Sequence, residues 1–264
     1  MINKTFHFLS GLPRSGSTIL AAILNQNPAV YVTPTSPLLD QLIQNQDIWN
    51  SLQAVKANPM PEQLTNITRE LINSMWEHRE EPIIIDKNRG WGKNMPASTV
   101  LFESEIKIVA TTRDLPSIMA SWLTLLRKNP DSYMRQVLAR SGMLYTEENM
   151  MHEMWVNMVK DCLEALVEAR KDAANRILLI DYDIMIDNPA GTLRGIEDFL
   201  CLPSHKYDFN NIVSDTNDDD MSAWGLDGMH KIRPRLEKTA TPAREILGDE
   251  LFDIFTKLEK QYTT

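Results

Sequence analysis

The chain is poor in cysteine: Cys162 and Cys201 are the only two among 264 residues. Two cysteines so placed make neither a disulfide framework nor a zinc spacing, which points to a reducing, cytoplasmic setting and no metal site. Long apolar runs are missing too. No stretch approaches the ~20 apolar residues of a membrane span, and the opening MINKTFHFLSG is too short in apolar residues for a signal peptide. Positive charge is in deficit, with 27 Lys and Arg against 36 Asp and Glu and a formal charge of −9. A general nucleic-acid binder shows the opposite balance. Gly/Ser/Pro-rich linkers, internal repeats and low-complexity tracts are also lacking, so residues 1–264 read as one domain. The 43% hydrophobic and 24% charged fractions are those of an ordinary globular chain.

What is present is an alternation of short apolar runs with helical periodicity. Strands are expected at Phe6–Leu9, 29–34, 82–87, 106–114 and 176–183. Helices are expected at Ser17–Gln26, Pro37–Ala54, Pro61–Arg79, Pro96–Phe102, Pro116–Arg127, Glu147–Ala174, Pro189–Leu200 and Pro242–Lys260, with an irregular stretch from about Pro203 to Thr241. Three consecutive isoleucines in PIIIDK suit a strand covered on both faces. Strands alternating with helices imply right-handed βαβ units: an α/β fold in three layers around a central, mostly parallel sheet. Ligands of such sheets bind beyond the carboxyl ends of the strands. The chemistry is therefore expected at Gly11–Thr18, Thr33–Pro37, Asp86–Trp91, Arg113–Asp114 and Tyr182–Asp183.

The first of these segments, GLPRSGST, joins the first strand to the first helix. Gly11 and Gly16 let the backbone curl so that successive N–H groups face inward, and the helix that follows adds its own N–H groups and positive dipole end. Ser15, Ser17 and Thr18 bring hydroxyls, and Arg14 a planar fork suited to anionic oxygens. The loop meets the G-x-x-x-x-G-K-[ST] phosphate pattern except at its lysine, where Ser17 stands. That lysine reaches the β/γ-phosphates of a nucleoside triphosphate, so its loss argues against an ATPase or kinase.

GLPRSGST resembles the 5′-phosphosulfate loop of sulfotransferases that use 3′-phosphoadenosine-5′-phosphosulfate (PAPS), in the form seen in Golgi and tyrosylprotein sulfotransferases. The resemblance implies a P-loop NTPase-like fold and a loop, Arg14, Ser15, Gly16, Ser17 and Thr18, that binds the 5′-phosphosulfate. RDLPSIMAS carries a second match: Arg113 after a strand and Ser121 eight positions on correspond to the family's 3′-phosphate ligands. Tyr182, in LLIDYD, corresponds to a residue that touches the nucleotide. The basic stretch WGLDGMHKIRPRLEKT resembles a late loop that folds over it, with Lys231, Arg233, Arg235 and Lys238 as candidates. PAPS is then the co-substrate and adenosine 3′,5′-bisphosphate (PAP) the product. The acceptor is a small molecule or a peptide, offering a hydroxyl or an amine.

For catalysis, Arg14 and Lys87 are expected to stabilise the departing phosphate oxygen, Lys87 by resemblance to the Asn-Lys-Asp site of tyrosylprotein sulfotransferases. That family's basic glutamate falls here on Thr35, which holds no carboxylate. His230, whose imidazole type suits proton exchange at neutral pH, and then Asp40 are the candidates in its place. Arg89, Trp91, Trp122 and Trp224 are candidate walls of an acceptor pocket. Two alternatives stay open: a kinase with Asp86 as magnesium ligand at the end of a Walker B-like strand, and a catalytically idle nucleotide-binding module.

Overall fold

The computed structural model describes residues 4–102, 105–172, 174–214, 219–238 and 242–263. Five strands, β1 (Thr5–Gly11), β2 (Val30–Val32), β3 (Ile83–Lys87), β4 (Ile108–Thr112) and β5 (Ile177–Asp181), form one sheet in the order β2-β3-β1-β4-β5. Every pairing is parallel. After β1 the chain turns to the β2–β3 side and after β3 it crosses to the β4–β5 side. The switch point therefore lies at the carboxyl end of β1, where α/β sheets bind ligands.

The helices are α1 (Ser17–Leu24), α2 (Leu38–Ser51), α3 (Gln53–Ala57), α4 (Pro61–Trp76), α5 (Met95–Phe102), α6 (Leu115–Lys128), α7 (Met134–Arg140), α8 (Glu147–Met154), α9 (Lys160–Asp172), α10 (Tyr182–Asp187), α11 (Pro189–Leu200), α12 (Asp220–Trp224) and α13 (Ala243–Thr263). Local chemistry sets several boundaries. Asp114 accepts from the Ser117 N–H at 2.8 Å and Pro116 occupies the first turn, so α6 starts directly after β4. Asp181 accepts from the Ile184 N–H at 3.0 Å, which ends β5 two residues short of the expected 183 and starts α10 at Tyr182. Extended backbone at Leu52 separates α2 from α3 where one helix was expected. A π-helical turn at Trp155–Val159 joins α8 to α9 within the expected Glu147–Ala174 helix. The expected irregular stretch contains α12, and its residues 215–218 and 239–241 lie outside those described.

Alternation along the strands gives the sheet two apolar faces. On one, Phe6, Phe8, Ile84 and Ile108 pack with Trp91, Phe102 and Trp122. On the other, Leu9, Ile85 and Val109 pack against Leu20 and Ile23 of α1 and Leu193 and Ile196 of α11. Trp91 lies flat on Phe8, ring centroids 3.7 Å apart. Trp91 is 1% and Trp122 0% exposed, so both belong to the core rather than to the wall of an acceptor pocket. Trp224, 43% exposed, lies outside that core.

The same alternation buries two titratable groups on opposite faces, with opposed consequences. Burial, and then the charge of Lys107, lowers His7 to about 4. Burial raises the Asp86 carboxyl to about 6, against the hydrogen bond from Trp91 that favours its ionised form. Unfolded His7 binds more protons than folded His7 between about pH 4 and 6.5, so its share of stability is lost as pH falls through that window. Folded Asp86 holds the extra proton between about 3.8 and 6, so its share is gained as pH falls. Each swing corresponds to about 3 kcal/mol, and in the parent protein they offset. Relative to the parent, Asp86→Asn is expected to lose about 3 kcal/mol between pH 7 and pH 4, and His7→Asn to gain a similar amount. Urea unfolding at the two pH values measures both; differences independent of pH would refute the assignment.

Candidate active site

The turn after β1 is fastened to β4. Gly11 pairs with Thr111, at φ +127°, and a Cβ there would stand 2.4 Å from the Thr111 carbonyl oxygen, so only glycine fits. The Leu12 N–H donates to that carbonyl at 2.9 Å. The Ser15 hydroxyl is fully buried between the Leu12 carbonyl at 2.5 Å and Thr111 Oγ1 at 2.6 Å. Ser15 therefore holds the loop in shape with its side chain, and any ligand contact from it falls to its main chain, a correction to its expected hydroxyl role.

Arg14 and Gly16 both have left-handed backbone, φ 61° and 90°. Alternation of this kind turns successive N–H groups to one side and makes an anion-binding concavity. Behind it, α1 starts at Ser17 with no side-chain cap and no acidic residue in its first turn, leaving its first N–H groups for a ligand. Gly16 is required as well: a Cβ there would meet Tyr182 Cδ2 at 2.8 Å.

Arg14 is held on three sides. Its Nε donates to Ser121 Oγ at 3.1 Å, its Nη1 donates to the Met229 carbonyl, and its guanidinium lies 5.7 Å from the Trp122 ring centroid. Burial pushes its pKa down, and so do the charges of Arg89 and Arg113, with Asp220 opposing. Arg113 donates from Nη1 to the Arg14 carbonyl at 3.4 Å and covers the Tyr182 ring at 4.5 Å. Three guanidiniums thus gather behind the ends of β3, β1 and β4. Their mutual repulsion is what an anionic ligand relieves.

These groups line a cavity of about 680 Å³. Of the expected binding residues, Arg14, Gly16, Ser17, Thr18, Arg113, Ser121 and Tyr182 line it, and so do Lys231, Arg233 and Arg235 from the late segment. Lys238 does not; it is exposed and bridges to Asp183 at 3.5 Å and Asp187 at 3.4 Å, tying the late segment to α10.

Lys87 projects from β3 toward the same loop, Nζ donating to Thr18 Oγ1 at 3.1 Å and to the Pro34 carbonyl at 2.7 Å. Its neighbour Asp86 is turned to the other face, accepting from Trp91 Nε1 at 2.9 Å. A carboxylate buried there does not face the loop hydroxyls, which removes the support for a magnesium ligand at this position. Asp40, on α2, is exposed and accepts from Asn88 Nδ2 at 3.2 Å; it does not line the cavity.

His230 does, and the structure gives it a partner that sequence reasoning missed. Its Nδ1 lies 2.6 Å from Asp220 Oδ1, and its main-chain N–H donates to Asp220 Oδ2 at 2.7 Å. Both side chains are buried, 10% and 8% exposed. A carboxylate bonded to both ends of one histidine fixes its ring and its tautomer. The available signal was the aspartate run before α12, which reads on its own as solvated charge.

The sequence profile of the sulfotransferase family matches residues 8–206. No curated protein matches the chain significantly. Among solved structures, the sulfotransferase domain of the olefin synthase from Synechococcus PCC 7002 is similar over 100% of this chain and 96% of its own, at 18% identity and a TM-score of 0.55. The sulfotransferase domain from the curacin biosynthetic pathway covers 78% of this chain and 76% of its own, at 16% identity and a TM-score of 0.52. Retinol dehydratase, in complex with androsterone and inactive cofactor PAP, covers 100% and 80%, at 16% identity and a TM-score of 0.51. At such identities the structural likeness speaks for the fold alone. With the profile spanning well over half of its length, the chain belongs to the sulfotransferase family.

Proposed function

We propose that the protein moves a sulfuryl group from PAPS to a hydroxyl or amine of a small molecule or peptide, in the cytoplasm and without an obligatory metal. One observation carries this reading: Arg14, Arg113 and Ser121, which the family resemblance gives to the 5′- and 3′-groups of one nucleotide, line a single cavity, Arg14 after β1 and Arg113 after the neighbouring β4. A nucleotide anionic at both its 5′ and 3′ positions can use cations that follow both strands, whereas a triphosphate is anionic at one end. The donor set fits the group: a left-handed loop, an uncapped helix start and clustered guanidiniums all favour compact dianions.

PAPS supplies the SO₃ unit and a phosphate leaving group. The chain's residues do the rest. Arg14 and the loop N–H groups hold the phosphate oxygen on which charge builds as the S–O bond breaks, and Lys87 adds a cation from the β3 side. His230, with Nδ1 engaged by Asp220, takes the acceptor's proton through Nε2 as the new bond to sulfur forms.

The test is calorimetry of the protein with PAP, ADP and ATP. PAP is expected to bind at least about tenfold more tightly than either, since its 3′-phosphate adds a charged hydrogen-bonded contact. Equal or tighter binding of ADP would sink the reading. Arg113→Ala should cut the preference for PAP over ADP by about ten- to a hundredfold while leaving ADP affinity nearly unchanged. Undiminished discrimination would show that Arg113 does not read the 3′-phosphate.

A further inference from the structure

We propose that the acceptor carries an anionic group, a carboxylate or a phosphate ester, and that Arg89 is the residue that binds it. The proposal rests on the reading above and narrows its acceptor.

The argument begins with strand order. Along the carboxyl edge of the sheet the strands run β3, β1, β4, β5. The groups assigned to the nucleotide follow β1 (Arg14, Gly16), β4 (Arg113, Ser121) and β5 (Tyr182). The side of the cavity beyond β3 is left for the acceptor, and Arg89 stands there, two residues past Lys87.

Its backbone is fixed: the Ser10 hydroxyl donates to the Arg89 carbonyl at 3.1 Å, and Asn88 Oδ1 accepts from the Gly90 N–H at 2.9 Å. Its side chain opens into the cavity. Among the described residues, no carboxylate pairs with this guanidinium and no group accepts a hydrogen bond from it. The charges that bear on it come from Cys162 of α9 and from Arg14, and Arg14 is itself cationic. A guanidinium carries five N–H donors and stays charged; that of Arg89 is partly exposed to the cavity, where an anion can replace water on its donors. Arg14 is met by Ser121 and Met229, and Arg113 by the Arg14 carbonyl and Tyr182. Of the three, Arg89 is the one whose guanidinium makes no hydrogen bond or ion pair to a protein group among the described residues.

The apolar part of the cavity's lining bears on the rest of the ligand. Leu125 of α6, Ile246 of α13 and Met229 line the same cavity. An apolar body with an anionic end fits these walls and this cation together. Against them, a polycationic acceptor meets repulsion from Arg89, Arg14 and Lys128.

The experiment uses the full chain saturated with PAP and measures, by calorimetry, binding of matched hydroxy compounds: medium-chain hydroxy acids and phenolic acids, their methyl esters, and hydroxyalkyl phosphates of the same chain. The acid, the phosphate or both should bind about ten- to a hundredfold more tightly than the ester, and the better of the two identifies the anion. Arg89→Gln should remove that preference and leave ester binding unchanged, while Arg89→Lys retains part of it; the assay is run at PAP concentrations that saturate each variant, because the Arg89 charge also acts on Arg14. The preference in the parent protein is a test by itself should a variant fail to fold. Equal affinity for acid and ester, binding of none of them, or a loss in Arg89→Gln that extends to the ester would overturn the proposal. PAP that fails to outbind ADP refutes the nucleotide reading instead, so the two failures are told apart.

Discussion

Replacing Arg14 by glycine is expected to lower the rate of sulfuryl transfer by about 10²–10³-fold while leaving the protein at least as stable as the parent. The two halves of this expectation have separate causes. On the proposed function Arg14 is the loop cation that meets the leaving phosphate, and removing one preorganised donor of that kind costs about this much in rate. Its backbone, however, sits at φ 61°, a left-handed conformation that costs an L-residue roughly 1–2 kcal/mol and glycine nothing. Its side chain is buried beside two other guanidiniums, both of which disfavour its charge. The free protein carries both the strain and the repulsion, a trade of stability for function. The hydrogen bonds to Ser121 and Met229 that glycine forfeits offset part of the gain. Arg14→Lys keeps the charge and the strain but loses the fork, so intermediate activity with no gain in melting temperature is expected. The assay is PAP release from PAPS, with water as acceptor where no better one is supplied, beside a thermal melt. Activity within a few fold of the parent, or a fall of several degrees in Arg14→Gly, would refute the assignment.

The parts legible in the sequence were those whose cause is local. Gly11, Gly16 and the isoleucine run of β3 announce a strand, a tight turn and a buried parallel sheet within a few residues of each other, and proline or aspartate marks the starts of α6 and α11. All five strands and the phosphate loop follow from such signals. Long-range consequences were not legible. The Ser15 hydroxyl turns inward because Thr111, nearly a hundred residues later, lies beside it in the sheet. Lys238 leaves the cavity because α10 begins at Tyr182 and places Asp183 and Asp187 in its reach. Trp91 and Trp122 are claimed by the core once Phe8 and α6 are packed. Helices as short as α7, α10 and α12 carry too few periods of apolar spacing to stand out from loops. Asp220 was hidden for a related reason: it opens the short helix α12, and only the turn that follows that helix brings His230, ten positions on, back to it.

That pairing leads to the second large effect. His230→Ala is expected to slow transfer to an alcohol by about 10²–10⁴-fold, the range for loss of a positioned base, and Asp220→Asn by a smaller factor. The asparagine oxygen still accepts one hydrogen bond, but its amide donates where the aspartate accepts, so either the ring or the main-chain N–H of His230 loses its partner and the tautomer is no longer imposed. The acceptor's acidity separates this role from a structural one. A nitrophenol that is ionised at the assay pH has no proton to give up, so both variants should transfer to it at close to the parent rate. An aliphatic alcohol has to lose its proton as the bond to sulfur forms, and there the full deficit should appear. PAP affinity serves as the control, because the late segment also holds Arg14 through the Met229 carbonyl; it should hold in Asp220→Asn. If the variants slow transfer to phenolate and alcohol alike, the dyad orders the late segment over the nucleotide and the base lies elsewhere. If the deficit is confined to the alcohol, the Asp220–His230 pair, and neither Asp40 nor a glutamate at the position Thr35 fills, takes the proton.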